Sequence, residues 1–497
     1  MIGARNTFLK NAGVMMAAQI ITWSLSLVLA AILPRYLGVT SVGKYQLALS
    51  LWGITGVVIG FGMDTLLTKE IARAPAKLND LFGISLIVRA AFYIIGFAIL
   101  AIYARIIGFP QETTTILYII GFSTLFGQFS SSTRATLQGL ERMEFISLAD
   151  IVSKVLITIS SILLLLMGYG VVFIAGLVVL ASAVSFGIQY YFLNKLPAFR
   201  LRFDWQNIPW MLKNSLPYLL SNIFLVGYLQ IDVVLISLFV SEDGVGWYST
   251  ASVLFSTLLF IPTVFLTAVF PILSRTYEEN PNSMPNIISK SFKFLFVLSI
   301  PIGFGLICIA DPFVILLYGP EFTNSGPILA IFGVVLILMY QNMLLSQFLV
   351  SINRQKALVV IMAIATFLSI PLDMILIPWC ESLFNNGAMG GALAFVITEA
   401  GMVIVSLYLL PRGWLGRTNL WLVAKGTLAG LGMISAVWWW RDAFIIFPII
   451  LGASTYFTLI WILRVIPKED WGLIKEVANT FISRLHKGKP KLTSSRG

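Results

Sequence analysis

Fourteen stretches of about twenty apolar residues, parted by short polar turns, dictate what this chain can fold into. A helix of about 20 residues crosses a hydrocarbon layer ~30 Å thick, and it satisfies every backbone N–H and C=O internally where water is absent. The stretches fall at 11–33, 44–64, 82–104, 114–133, 146–168, 170–192, 215–240, 247–272, 290–310, 327–350, 356–378, 388–410, 419–440 and 443–463. Charged residues make up only 11% of the 497 and hydrophobic ones 58%, which excludes an ordinary water-facing surface. The reading is an all-α integral membrane protein of about fourteen transmembrane helices. The first stretch, from about Phe8 to Leu33, exceeds the apolar part of a signal peptide and lacks a clear cleavage site, so it counts as a span.

The net charge of +11 is distributed as short runs between spans rather than as one basic face, which argues for membrane orientation and against nucleic acid as a partner. With the N-terminus inside, seventeen Lys and Arg residues, from Arg5 and Lys10 to Arg412 and Arg417, lie on the inner side before the tail. The outer loops hold four, Arg35, Lys44, Arg105 and Arg441. This asymmetry persists along the whole chain and places both termini in the cytoplasm of a cell-membrane protein. Past the last span, Trp471, Ile474, Val477, Phe481 and Leu485 recur at helical spacing among Lys475, Glu476 and Arg484, as in an amphipathic helix on anionic inner-leaflet lipid.

Chemistry of the enzymatic kind has little to work with. Cys308 and Cys380 sit in or beside apolar stretches and form no metal-binding pattern, and the one histidine, His486, lies in the tail. No Gly-x-x-x-x-Gly-Lys-Ser/Thr loop, no Gly-x-Ser-x-Gly and no His-Glu-x-x-His occurs, and no outer loop is long enough for a catalytic domain. The chain reads as a transporter without cofactor, any coupling being to a Na⁺ or H⁺ gradient, the membrane potential or substrate flux.

Sliding the sequence on itself by 203 residues aligns Leu9-Lys10-Asn11 with Leu212-Lys213-Asn214. At the same offset Val42-Gly43-x-Tyr45 meets Val245-Gly246-x-Tyr248, and Ala48 and Leu51 meet Ala251 and Leu254. Six spans separate the copies, and an even number preserves direction. The repeat is therefore parallel, with an axis along the membrane normal. It divides the chain into a six-helix lobe at 1–209, a second at 210–412, two additional helices at 413–466 and the tail at 467–497. A cavity between such lobes, opened to each side in turn, follows from this construction.

Several short motifs carry a family resemblance. Arg35-Tyr36-Leu37-Gly38 with Gly43-Lys44-Tyr45, Gly62-Met63-Asp64 with Lys69-Glu70-Ile71-Ala72-Arg73, and Leu137-Gln138-Gly139-Leu140-Glu141-Arg142 are the first of them. Ile231-Asp232 with Gly246-Trp247-Tyr248, Leu317-Tyr318-Gly319-x-Glu321-Phe322 and Gly387-Ala388-Met389-Gly390-Gly391-Ala392 follow. In order and spacing these resemble polysaccharide-biosynthesis flippases of the multidrug/oligosaccharidyl-lipid/polysaccharide exporter superfamily. The resemblance implies translocation of a polyprenyl-diphosphate-linked oligosaccharide from the inner to the outer leaflet, with membrane lipids around it and glycan polymerases or glycosyltransferases as partners.

A charge at the bilayer centre costs about 2.5–3.5 kcal/mol on insertion scales, so one that persists faces a partner or a wet cavity. Arg89, Lys154, Asp232, Asp373 and Glu399 lie at such depths. Arg89 and Lys154 are candidates to meet the diphosphate, since cations engage phosphate oxygens. Their alternatives are structural: Asp64 could pair with Arg89, and Asp150, one turn before Lys154, could neutralise it. Lys293 and Lys425 sit about one turn inside the inner boundary, where long side chains bend toward headgroups, and Lys293 joins the diphosphate candidates. Asp232, Asp373 and Glu399 are candidates for a coupling cation or proton, for sugar hydroxyls, or for structural hydrogen bonds; the resemblance puts Asp232 foremost. Pro217, Pro262 and Pro271 are expected to bend the seventh and eighth spans. The competing readings are a cation-coupled small-molecule exporter of the same superfamily and a membrane glycan polymerase, the latter disfavoured by the short outer loops.

Overall fold

The structure, a computed structural model, describes residues 2–196, 199–202, 205–411 and 413–465. The expected amphipathic tail and His486 lie outside the described residues. The chain forms α1 (Ile2–Leu37), α2 (Val39–Gly60), α3 (Met63–Arg73), α4 (Leu78–Ile107), α5 (Gln111–Gly139), α6 (Met143–Leu166), α7 (Val171–Asn194) and α8 (Ile208–Phe239). It continues with α9 (Glu242–Leu258), α10 (Phe260–Glu279), α11 (Met284–Tyr318), α12 (Ser325–Ser351), α13 (Gln355–Phe384), α14 (Ala388–Leu409), α15 (Arg417–Trp438) and α16 (Ile446–Ile462).

Twelve helical segments among the described residues are long and apolar enough to cross a membrane, which makes this an all-α, multi-pass membrane protein of about twelve spans. Two of the fourteen expected stretches fall short on that criterion. The 29-residue α5 is diluted by Thr and Ser runs at both ends, and α16 has only 17 residues.

Two of the spans are broken, each for a local reason. Phe61 and Gly62 take left-handed backbone angles, φ 48° and 70°, which end α2 and restart the chain as α3. A side chain at Gly62 would collide with the backbone of α8 at Leu219 and Ser215, so only glycine allows that approach. Of the expected proline bends, the one at Pro262 is a true interruption: the α9–α10 break falls at Leu259, while Pro217 and Pro271 lie within continuous helices. Pro262 has no N–H to give to the carbonyl of Leu258 four residues earlier, and the hydroxyl of Tyr340 on α12 donates to that oxygen at 2.7 Å instead. The same repair occurs in α11, where Pro301 frees the carbonyl of Val297 and Tyr456 of α16 donates to it at 2.9 Å.

Helices α5 and α7, α1 and α6, α11 and α12, and α13 and α14 pack along one another, while α2 runs against both α8 and α9. The α15–α16 pair docks on α11 through Phe296, Ile300, Ala429, Met433 and Tyr456. At the end of the molecule carrying the α1–α2 and α8–α9 turns, the contact of α2 with α9 is reciprocal. A Cβ at Gly43 would overlap the carbonyl of Glu242, and a Cβ at Gly246 would overlap the carbonyl of Val39. Between them Thr40 donates to Asp243 Oδ1 at 2.6 Å, across 203 residues of sequence. Each of these partners is the other's equivalent at the offset of the internal repeat, so the local two-fold passes between α2 and α9. Lys44 reinforces the seam through Glu112 at 2.7 Å and Glu242 at 3.7 Å, and Thr113 donates to Glu242.

Candidate functional site

The mid-span charges turn away from lipid and collect at three places. The first is around Arg89. In α4 Ile95, Ile99, Ile102 and Ile106 of the later turns are exposed, while Ser85, Val88 and Arg89 of the earlier turns are buried. The guanidinium has no exposed surface; its Nη2 donates to Asp64 Oδ1 at 2.5 Å and its Nη1 to Gln128 Oε1 on α5. Gln128 in turn donates to the carbonyl of Gly56 at 2.9 Å, tying α2, α4 and α5 together. The α2–α3 break aims Asp64 at this spot from the first turn of α3, and its side chain keeps 49% of its exposure. The cation is thus enclosed and its counter-charge lies at the edge of open space.

The second place is a pocket of about 440 Å³ between α5, α6 and α7. Ser130, Ser131 and Arg134 of α5, Lys154 of α6, and Ser182 and Ser185 of α7 line it. On α6 the outward row is Leu148, Val152, Ile159 and Leu163, and Lys154 points to the other side. Asp150 does not neutralise Lys154 as the one-turn spacing allowed. Its carboxylate takes a hydrogen bond from Arg134 Nη2, because α5 delivers a guanidinium to it from the neighbouring helix. Lys154 makes no ion pair with any described residue.

The third place gathers the acids, all essentially buried: Asp232 at 6%, Asp373 at 0% and Glu399 at 1% exposure. Tyr248 of α9 donates to Asp232 Oδ2, and the carboxyl groups of Asp232 on α8 and Asp373 on α13 adjoin. Asp373 receives no hydrogen bond from an N–H or hydroxyl donor among the described residues. Gly391 of α14 packs closely beside this pair: a Cβ there would stand 3.2 Å from Ile236 Cδ1 and 3.4 Å from the Tyr248 ring. Glu399 belongs to a separate, satisfied network: Tyr228 donates at 2.9 Å to one oxygen and Asn342 at 2.9 Å to the other, with Thr398 3.0 Å from the Tyr228 hydroxyl. Next to Asn342, both side-chain amide atoms of Gln341 are buried and find no hydrogen-bond partner among the described residues. No group of three or more His, Cys, Asp or Glu suited to a metal ion occurs among the described residues.

The two remaining lysines go separate ways. Lys293 is half-buried on α11 and is not without a partner. Lys425 donates to the carbonyl of Leu463 at 3.1 Å, capping the end of α16, where a cation meets the negative end of the helix dipole. Sequence reasoning passed over Gln128, Tyr228 and Tyr248 as site residues. Tyr248 was visible as the tyrosine of the repeated Gly-x-Tyr motif, and Tyr228 as the residue one turn before Asp232. Gln128 carried no signal beyond being polar in a span.

The family described as "Polysaccharide biosynthesis protein" matches residues 32–327. The chain is 26% identical over 395 residues to the probable low-salt glycan biosynthesis flippase Agl15 of Haloferax volcanii, covering 76% of this chain and 78% of that protein. Among solved structures, the lipid II flippase MurJ in an inward closed conformation superposes with a TM-score of 0.71 at 16% identity, over 91% of this chain and 98% of that one. An inward-facing multidrug resistance MATE family transporter of the MOP superfamily gives 0.62 at 17% identity, over 78% and 96%. At these identities the two structures speak for the fold.

Proposed function

Because the chain belongs to the polysaccharide biosynthesis protein family, we propose that it is a flippase, a transporter and not an enzyme, that carries a lipid-linked glycan across the membrane. The observation that carries this reading is the inward aim of the intramembrane charges: Arg89, Asp232, Asp373 and Glu399 are buried, and Lys154 lines a pocket instead of meeting lipid. A helical bundle tolerates ionic groups at such depth when they face partners or a wet passage, and an anionic headgroup needs such a passage to cross hydrocarbon. The related flippase from Haloferax volcanii supports a glycan as the cargo.

The chain has fourteen spans, with α5 and α16 crossing as well, arranged as lobes at 1–209 and 210–412 plus two further helices. Both termini are cytoplasmic in the plasma membrane. The α2–α9 seam then lies at the outer face. The substrate is a polyprenyl-diphosphate-linked oligosaccharide whose headgroup passes between the lobes by alternating access while its hydrocarbon stays in lipid. Lys154 and Lys293 make the inner half attractive to the diphosphate, and Arg89, enclosed beside Asp64, offsets the negative charge that this carboxylate would otherwise turn on the headgroup. Asp232 and Asp373 take up the coupling proton or Na⁺, and Glu399 organises the helices beside them. Glycosyltransferases make the cargo and a polymerase consumes it.

Reconstitution into vesicles with a fluorescent polyprenyl-diphosphate oligosaccharide tests the reading. Protein-dependent appearance of the label on the opposite leaflet is expected. A rate equal to that of empty vesicles, or export of a cationic dye in place of the lipid, would overturn it.

A further inference from the structure

We propose that the pocket between α5, α6 and α7 is the binding site for the diphosphate of the cargo, with Lys154 as its anchoring cation and Arg134 as the group that meets it first; this rests on the flippase reading above. No carboxylate among the described residues pairs with Lys154. It stands eleven residues after Met143, about 16 Å along α6 at 1.5 Å per residue, close to the bilayer centre. The one carboxylate within a helical turn, Asp150, is engaged by Arg134. A lysine at that depth beside a hydroxyl-lined pocket is a site for an anion.

Depth and chemistry agree with a bound diphosphate. Arg134 lies five residues before the end of α5 at Gly139, about 7 Å in, and 43% of its side chain is exposed. Only its Nη2 is engaged with Asp150, which leaves N–H groups for phosphate oxygens. Arg134 and Lys154 therefore sit at successive depths on one wall, a shallow station and a deep one. Ser131 between them makes no side-chain hydrogen bond among the described residues, and Ser130, Ser182 and Ser185 add hydroxyls that can donate to phosphate or sugar oxygens. The volume of about 440 Å³ falls within the range of small-ligand pockets, about 300–1,000 Å³. Arg89 differs on every count, being enclosed, paired to Asp64 and outside this pocket.

The test is binding of farnesyl diphosphate and of inorganic pyrophosphate to the full chain in detergent, with vesicle translocation measured in parallel. We expect Lys154→Gln to weaken both ligands by about tenfold or more, Lys154→Arg to keep most of the affinity, and Ser182→Leu, which fills the volume without touching charge, to weaken binding as well. Circular dichroism melting identifies variants that have lost their fold. Farnesyl diphosphate binding that is unchanged in both Lys154→Gln and Ser182→Leu overturns the assignment. So does displacement of farnesyl diphosphate by an equal concentration of phosphatidylglycerol, which would make the occupant an ordinary anionic lipid. If the wild-type chain translocates lipid and Lys154→Gln does so at the same rate, this site falls while the flippase reading stands. A wild-type chain that binds farnesyl diphosphate but moves nothing sinks the flippase reading instead.

Discussion

Two tyrosines show how single residues keep this protein intact at its weakest backbone positions. Tyr340 and Tyr456 each supply the donor that a proline withholds from a carbonyl, at Leu258 and at Val297. An unpaired carbonyl has no recourse to water inside a bilayer. Tyr340→Phe and Tyr456→Phe should each lower stability by about 1–2 kcal/mol with little change in packing, read as a drop in the detergent melting temperature. Arg89 is a harsher case. Arg89→Ala leaves Gln128 and the half-exposed Asp64 without their partner, and because water reaches Asp64 the cost falls below the figure of about 3–5 kcal/mol for breaking a fully buried pair. Protein abundance should fall sharply, and the double change Arg89→Met with Asp64→Asn should restore much of it. Unaltered abundance of the single variant would show that the pair contributes little to folding. Sequence alone offered Asp64 as a partner of Arg89 but gave no way to choose between it and a ligand, because that choice depends on where α3 is redirected by the Phe61–Gly62 break.

At the scale of helices, the seam between α2 and α9 is where the repeat becomes mechanical. Backbones approach closely there because each copy of the motif offers glycine to the other's carbonyl. In lipid, such small-residue contacts drive helix association where hydrophobicity cannot. Gly43→Val and Gly246→Val should prevent the seam from closing, to similar extents because the contact is reciprocal. A cysteine pair at Thr40 and Asp243, bridged by a short thiol cross-linker, reports this directly. The bridge should form efficiently in the parent chain and stop translocation, and either valine variant should reduce its yield several-fold. Full translocation by the bridged protein would mean that α2 and α9 never separate. The offset of 203 could be read from the sequence, whereas the reciprocal burial of Gly43 and Gly246 could not. A repeat says which residues are equivalent and is silent on whether equivalents touch.

For the molecule as a whole, the positive-inside asymmetry makes a prediction about sidedness: a cysteine at Asp442, 84% exposed by its side chain, should react with a membrane-impermeant thiol reagent from outside intact cells, and one at Lys77 only after permeabilisation. The reverse pattern would invert the molecule. Hydropathy is a property of about twenty consecutive residues, so the sequence by itself determined that the chain is a membrane helix bundle, roughly where its spans lie and which polar residues are drawn into them. The polar content of α5 and the brevity of α16 marked where such counting loses force. Only tertiary structure decided the partners: Asp150 with Arg134 in place of Lys154, Lys425 with the end of α16, Asp373 beside Asp232, and Glu399 held by Tyr228 and Asn342. The physical reason is that lipid rewards any apolar surface equally. Helix pairing is therefore left to small residues, to breaks such as those at Gly62 and Pro262, and to a few polar contacts whose direction exists only once the helices have packed.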